Sequence, residues 1–223
     1  MRVGVLQHVA FEGPALIARA LSAAGAATRT VRLDLGEPLP AAADLDALVV
    51  LGGPMGALDD QEHPHLVRER ALIAECARRD VPVLGVCLGA QLLAAALGAD
   101  VHRGPAVEAG TGTVTLTPAG RADPVLGPSG PVLPVVHWHR DTFTLPPGAT
   151  LLAGSGAYPH QAFRSGRSYG FQFHVEFDRP ALDAAAPHLP PGTVVDPAAM
   201  RDVTTAGTRI LARWTRSLSP RPR

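Results

Sequence analysis

Two short stretches carry the residue types that covalent chemistry needs. The first is Val81-Pro-Val-Leu-Gly-Val-Cys-Leu-Gly-Ala-Gln-Leu-Leu-Ala-Ala-Ala-Leu97. Its first six residues form an apolar run suited to a buried parallel strand, whereas Leu92, Leu93, Ala96 and Leu97 recur at helical spacing. Cys87 stands where the period changes, with Gly85 and Gly89 on either side. That is the pattern of a nucleophile elbow, a sharp strand-to-helix turn that lifts one side chain above the sheet edge. A thiol there heads a helix, whose free N–H groups and positive dipole end favour the thiolate, and the N–H of Leu88 is placed to meet an oxyanion. The second stretch, Tyr169-Gly-Phe-Gln-Phe-His-Val-Glu-Phe177, alternates like a strand and sets His174 and Glu176 on one face. A carboxylate beside an imidazole fixes its tautomer and stabilises its protonated form, so the two stretches together spell a Cys-His-Glu triad for acyl transfer.

Plainer readings compete. A lone cysteine in an apolar segment is ordinarily a small core hydrophobe, and residues 81–99 carry no charge over the length of a membrane span. Pro82, Gly85, Gly89, Gln91 and Gly98 interrupt that span and Asp80 and Asp100 flank it without a basic bias, so strand, turn and helix are expected and no membrane association.

The elements that must position these residues follow from the rest of the chain. Its 223 residues are 46% hydrophobic, which suits one α/β domain over 1–223 with a sizeable core. Residues 2–7, 28–33, 47–51 and 81–86 read as strands, and 13–24 and 65–79 as helices between them. Such alternation predicts a mostly parallel sheet flanked by helices, with sites beyond the carboxyl ends of its strands, where Gly52, Gly53 and Cys87 fall. From Ala99 the character changes: 101–103, 112–117, 132–137 and 150–153 read as short strands separated by Gly and Pro, an antiparallel extension. Residues 187–197 are Pro-rich, a helix over about 202–218 closes the chain, and 219–223 are expected to fray.

Composition narrows the function. Twenty basic residues, all Arg, balance twenty acidic ones, which leaves neither a basic footprint for nucleic acid nor a P-loop lysine. Two cysteines build no disulfide framework, and Cys76, beside the apolar face of the 65–79 helix, reads as structural. With His8, Glu12, Gly13, Pro14 and Arg19 breaking any signal-peptide pattern, a cytoplasmic location is expected.

Four segments, taken in order, carry a family resemblance: Leu51-Gly-Gly-Pro-Met-Gly56, Leu84-Gly-Val-Cys-Leu-Gly-Ala-Gln91, His137-Trp-His-Arg-Asp141 and Gly170-Phe-Gln-Phe-His-Val-Glu176. They resemble the class I glutamine amidotransferases, in pattern close to the glutaminase part of GMP synthase. The resemblance implies a flavodoxin-like sheet and hydrolysis of the glutamine side-chain amide through a thioester on Cys87, with His174 as acid and base and Glu176 orienting it. It further implies that the N–H of Gly53, next to Gly52, joins that of Leu88 in an oxyanion hole, and that Arg140 and Asp141 border the substrate's amino-acid end. Gln91, one helical turn after the cysteine, is placed to bind substrate. No cofactor or metal is expected; the ammonia would pass to a separate synthetase. Two departures stand out: Arg140 replaces an expected small residue, and no Trp or Tyr follows Glu108-Ala-Gly110. Three alternatives remain. One is a free-standing γ-glutamyl hydrolase of the same fold. Another is a metal-dependent hydrolase using His137-x-His139-x-Asp141, although Thr142 stands where the metallo-β-lactamase motif continues with His. The third is a silent binding module.

Overall fold

Apolar runs that bury on both faces make central strands, and here they make the middle of one nine-stranded sheet. The computed structural model describes residues 1–218; the tail expected to fray, 219–223, lies outside the described residues. Chain order is β1 (Arg2–Gln7), α1 (Ala15–Ala23), β2 (Ala27–Arg32), β3 (Ala47–Val50), α2 (His65–Arg78), β4 (Val83–Val86), α3 (Leu88–Ala96), β5 (Val101–Leu116), α4 (Pro118–Ala122), β6 (Val132–Phe143), β7 (Thr150–Gly154), β8 (Ala162–Ser165), β9 (Ser168–Phe171), α5 (Arg179–Ala185) and α6 (Pro197–Ser217). The strands lie in the order β2-β1-β3-β4-β9-β8-β7-β5-β6. The first five are parallel; β9 joins this half to the antiparallel β8, β7, β5 and β6.

Strand alternation divides the core into two layers. Val3, Val5 and Val49 meet Ile17 and Leu21 of α1 and Ile210 and Trp214 of α6 on one face. Leu6, Leu48 and Val50 meet Leu66 and Ile73 of α2 and Leu92 and Leu93 of α3 on the other, where Cys76 is also buried. Each such fully buried aliphatic side chain contributes about 1.5–3 kcal/mol of transfer free energy.

Several expected boundaries shift, for identifiable reasons. Segments 101–103 and 112–117 are the ends of one long strand, β5, whose register against β6 slips between Arg103 and Glu108. Strand β6 runs on to Phe143, so His137–Asp141 lie inside it rather than after it. The largest departure concerns β9, which stops at Phe171. Its parallel partner β4 ends where Cys87 turns into α3, and the last rung is Cys87 N–H to the Phe171 carbonyl at 2.8 Å. Beyond it His174 keeps only an isolated bridge to Val136. Strand β8 and helix α5 were not expected; Asp178 caps α5 by accepting from Ala181 N. Asp196 likewise starts α6 at Pro197, ahead of the expected 202, by accepting from Ala198 N at 2.9 Å. Among the described residues no helix is long and apolar enough to cross a membrane, and the uncharged 81–99 stretch is β4 and α3.

Candidate active site

Cys87 adopts φ 52° and ψ −111°, a conformation that non-glycine residues rarely hold, at the junction of β4 and α3. Two glycines allow it. A Cβ on Gly85 would strike the backbone of Gly89, and one on Gly89 would strike the Val50 carbonyl, so the first turn of α3 sits directly on the sheet. As the first helical residue, Leu88 has no carbonyl four residues back for its N–H to donate to. The thiol is 7% exposed, and its Sγ lies 3.5 Å from the Trp138 carbonyl.

Opposite stands the expected partner pair. His174 Nδ1 and Glu176 Oε1 are 2.6 Å apart, and both side chains are buried. Burial opposes a charged imidazole, but Glu176 and the Cys87 sulfur together outweigh it and hold the His174 pKa well above its ordinary value. With Nδ1 engaged by the carboxylate, Nε2 is the nitrogen left for Cys87. The pair arises without the strand that the alternation predicts: the bridge between His174 and Val136, with N···O distances of 3.0 and 2.8 Å, fixes the backbone instead.

The loop after β3 is held from below. His8 Nδ1 lies 3.0 Å from the Gly52 carbonyl and His8 Nε2 lies 2.8 Å from Glu69 Oε2; both side chains are fully buried. A carbonyl only accepts, so Nδ1 carries a proton and donates it to Gly52. The carbonyl of Gly52 and the N–H of Gly53 belong to one trans peptide and point in opposite directions. Drawing the carbonyl onto His8 therefore turns the Gly53 N–H the other way, and Gly53, rather than Gly52, borders the cavity that Cys87 also lines.

The facing wall is β6. Gln91 Nε2 donates to the Asp141 carbonyl and to Gln172 Oε1, each at 3.2 Å. His139 Nδ1 donates to the same Asp141 carbonyl at 3.1 Å, and Tyr158 O–H donates to the Arg140 carbonyl at 3.0 Å. Behind them Glu108 accepts from Ser155 O–H at 2.8 Å and Gln161 Nε2 at 2.6 Å, with His139 Nε2 at 3.1 Å. Burial raises the Glu108 pKa, but His139, Ser155 and His137 overcome it and hold this carboxyl below its ordinary value. Ligand-type atoms of Glu108, His137 and His139 lie within 4.8 Å of one another, a set able to hold a metal ion. Asp141 is not part of it, so the His137-x-His139-x-Asp141 motif does not gather as its spacing suggests.

The cavity measures about 340 Å³; Cys87, Gly53, Leu88, Gln91, Arg140 and Asp141 all border it. Sequence reasoning missed other contributors. Glu12 lines it, and so do His188 and Pro190 of the Pro-rich segment, His188 stacking on Phe11 at 3.7 Å. The available signal was position: His8 and Glu12 follow the carboxyl end of β1, where parallel sheets place their sites.

A thiol on a strained elbow, a buried imidazole–carboxylate pair and a loop peptide whose N–H points away from His8, all beyond the ends of parallel strands, have the geometry of a triad-type acyl-transfer site. Comparison with known proteins agrees. The family model "Glutamine amidotransferase class-I" matches residues 14–186. The glutamine amidotransferase-like protein YfeJ of Salmonella typhimurium is 37% identical over 199 residues, covering 84% of this chain and 81% of that one. A subunit of the glutamine-hydrolysing GMP synthase of Halobacterium salinarum is 35% identical over 150 residues, 66% of this chain and 75% of that one. The crystal structure of a glutamine amidotransferase from Thermotoga maritima superposes with a TM-score of 0.88 at 29% identity, covering 99% of both chains. The chain belongs to the class I glutamine amidotransferase family.

Proposed function

We propose that this protein hydrolyses the side-chain amide of glutamine and releases ammonia to a separate acceptor enzyme. The observation that carries this reading is the elbow thiol of Cys87 facing a buried His174 whose other nitrogen is fixed by Glu176. The Sγ thiolate attacks the γ-carboxamide carbon, a C–S bond forms, and the carbonyl oxygen becomes an oxyanion between the N–H groups of Gly53 and Leu88. His174 gives its proton to the nitrogen, the C–N bond breaks, and ammonia leaves a thioester. Water then loses a proton to His174, attacks the thioester, and frees glutamate and the thiolate. Each oxyanion donor is worth about 2.7–4 kcal/mol in enzymes of this kind, so the Gly52–Gly53 loop counts nearly as much as the nucleophile. Gln91 and the Arg140–Asp141 backbone form the amino-acid end of the pocket, and the chemistry needs neither cofactor nor metal.

A separate synthetase fits the name of the Halobacterium relative, part of a GMP synthase. A second reading, a free-standing γ-glutamyl hydrolase, is favoured by one observation: Arg140 borders the cavity, where its guanidinium would meet a carboxylate on a longer substrate. The deciding measurement is kcat/KM on glutamine against a panel of γ-glutamyl amides and dipeptides. Weak glutaminase activity stimulated by a copurifying synthetase supports the first reading. Efficient turnover of an extended γ-glutamyl compound, weakened by Arg140→Gly, replaces it with the second.

A further inference from the structure

One buried acid in the cavity has no partner. Glu12 is only 5% exposed, yet neither carboxyl oxygen makes a hydrogen bond or ion pair among the described residues. Its place in the site is defined by Gly52: a Cβ there would run into Glu12 Oε2 and come within 3.3 Å of His174 Cε1. The carboxyl and the Cε1 edge of the imidazole, which lies between the nitrogen that holds Glu176 and the other ring nitrogen, therefore both lie next to Gly52 of the oxyanion loop. Burial, reinforced by the charge of Glu176, outweighs the opposing pull of His174 and His8 and raises the pKa of this carboxyl above its ordinary value. A carboxyl keeps an oxygen able to accept an N–H in either charge state.

In the reaction proposed above, the group beside both the oxyanion loop and the proton-donating imidazole meets the departing nitrogen. An unsubstituted carboxamide carries two N–H groups. We propose that Glu12 reads this leaving group: one carboxyl oxygen accepts one N–H of the side-chain amide, which turns the nitrogen lone pair towards His174 as the tetrahedral intermediate forms. An N-alkyl substituent would remove one of those hydrogens and place carbon against the carboxyl. Glu12 thus selects glutamine over substituted γ-glutamyl amides at the nitrogen end, while Arg140 acts elsewhere in the pocket. The inference rests on the Cys87 thioester reading.

The test compares wild type, Glu12→Gln and Glu12→Ala on glutamine and γ-glutamyl methylamide, and in parallel measures alkylation of Cys87 by a glutamine-like chloroketone, which has no amide nitrogen to be read. Glu12→Ala is expected to shift the kcat/KM ratio of glutamine to methylamide at least tenfold towards the methylamide, with Cys87 labelling within about threefold of wild type. Glu12→Gln keeps an amide oxygen and restores the preference. An unchanged ratio, or labelling that falls in step with turnover, would overturn the assignment. If wild type turns over neither amide and Cys87 is not labelled, the thioester reading itself fails and takes this one with it; labelling without a glutamine preference in wild type overturns the Glu12 assignment alone.

Discussion

The two halves of the sheet position the site by different means. In the parallel half, β2 to β9, the groups proposed to react are placed by backbone geometry: the elbow at Cys87, the Gly52–Gly53 peptide, which His8 holds by its carbonyl, and the first turn of α3. In the antiparallel half the wall of the pocket is backbone too, but what holds it is a web of side chains, with Glu108 bound to Ser155, Gln161 and His139, and Tyr158 and Gln91 pinning the Arg140 and Asp141 carbonyls. Backbone placement is nearly all-or-none, because a peptide plane has few alternative wells. Side-chain webs relax gradually when one member is removed. The first half should therefore govern turnover and the second substrate affinity and stability.

Substitutions in each half can break that division. The largest effect is expected from Cys87→Ala, which should reduce turnover roughly 10⁴-fold or more with the fold intact by circular dichroism, while Cys76→Ser stays near wild type. Residual activity of a tenth or more would remove Cys87 from its role. Next comes His8→Ala, which releases the Gly52 carbonyl and lets the Gly53 N–H swing away; kcat should fall about 10²–10³-fold with KM nearly unchanged. A KM effect alone would mean that the loop is held by something else.

Smaller and of the other kind, Glu108→Gln should raise KM for glutamine about tenfold and leave kcat within a few-fold. Its stability effect depends on pH. The Glu108 carboxyl sits below its ordinary value in the fold, so its stabilisation is present above the ordinary carboxylate pKa and is lost as pH falls through the folded one. The Tm deficit of Glu108→Gln should thus close in acid. Glu12, in the parallel half, has the opposite sign: its raised pKa penalises folding once the pH climbs above the unfolded value, so Glu12→Gln should gain Tm as pH rises from about 4 towards neutrality. Equal slopes for the two variants would contradict the contrast between them. The smallest effect is expected from chelation, since the proposed triad uses no metal; activity lost to a chelator and restored by zinc would bring the Glu108–His137–His139 set into the reaction.

How much of this was legible in the chain follows the same division. The parallel half could be read because its strands are short apolar runs closed by glycine, and a period change marks Cys87. His174 and Glu176 were found through an alternation that the fold does not use: β9 ends when β4 turns away, an event in a neighbouring strand that no local pattern records. The antiparallel half was harder. The pairing of β5 with β6 over their long span depends on a register slip next to Glu108, and the partners of Glu108 come from residues as far along as Ser155 and Gln161. Buried polar groups such as His8, Glu69 and Glu12 look like surface residues until the fold closes over them.

The conformation of Cys87 has a consequence for how such a chain changes over generations. A left-handed backbone of this kind is disfavoured for any residue with a Cβ, by an amount on the order of 1–3 kcal/mol, and glycine would occupy it without strain. Selection for foldability alone would therefore drift this position towards glycine, since the simplest route to a more stable molecule passes through the loss of its thiol. A cysteine that persists there does so against the preference of the fold, and a copy of this chain released from catalytic duty should lose residue 87 early, while its sheet and helices remain.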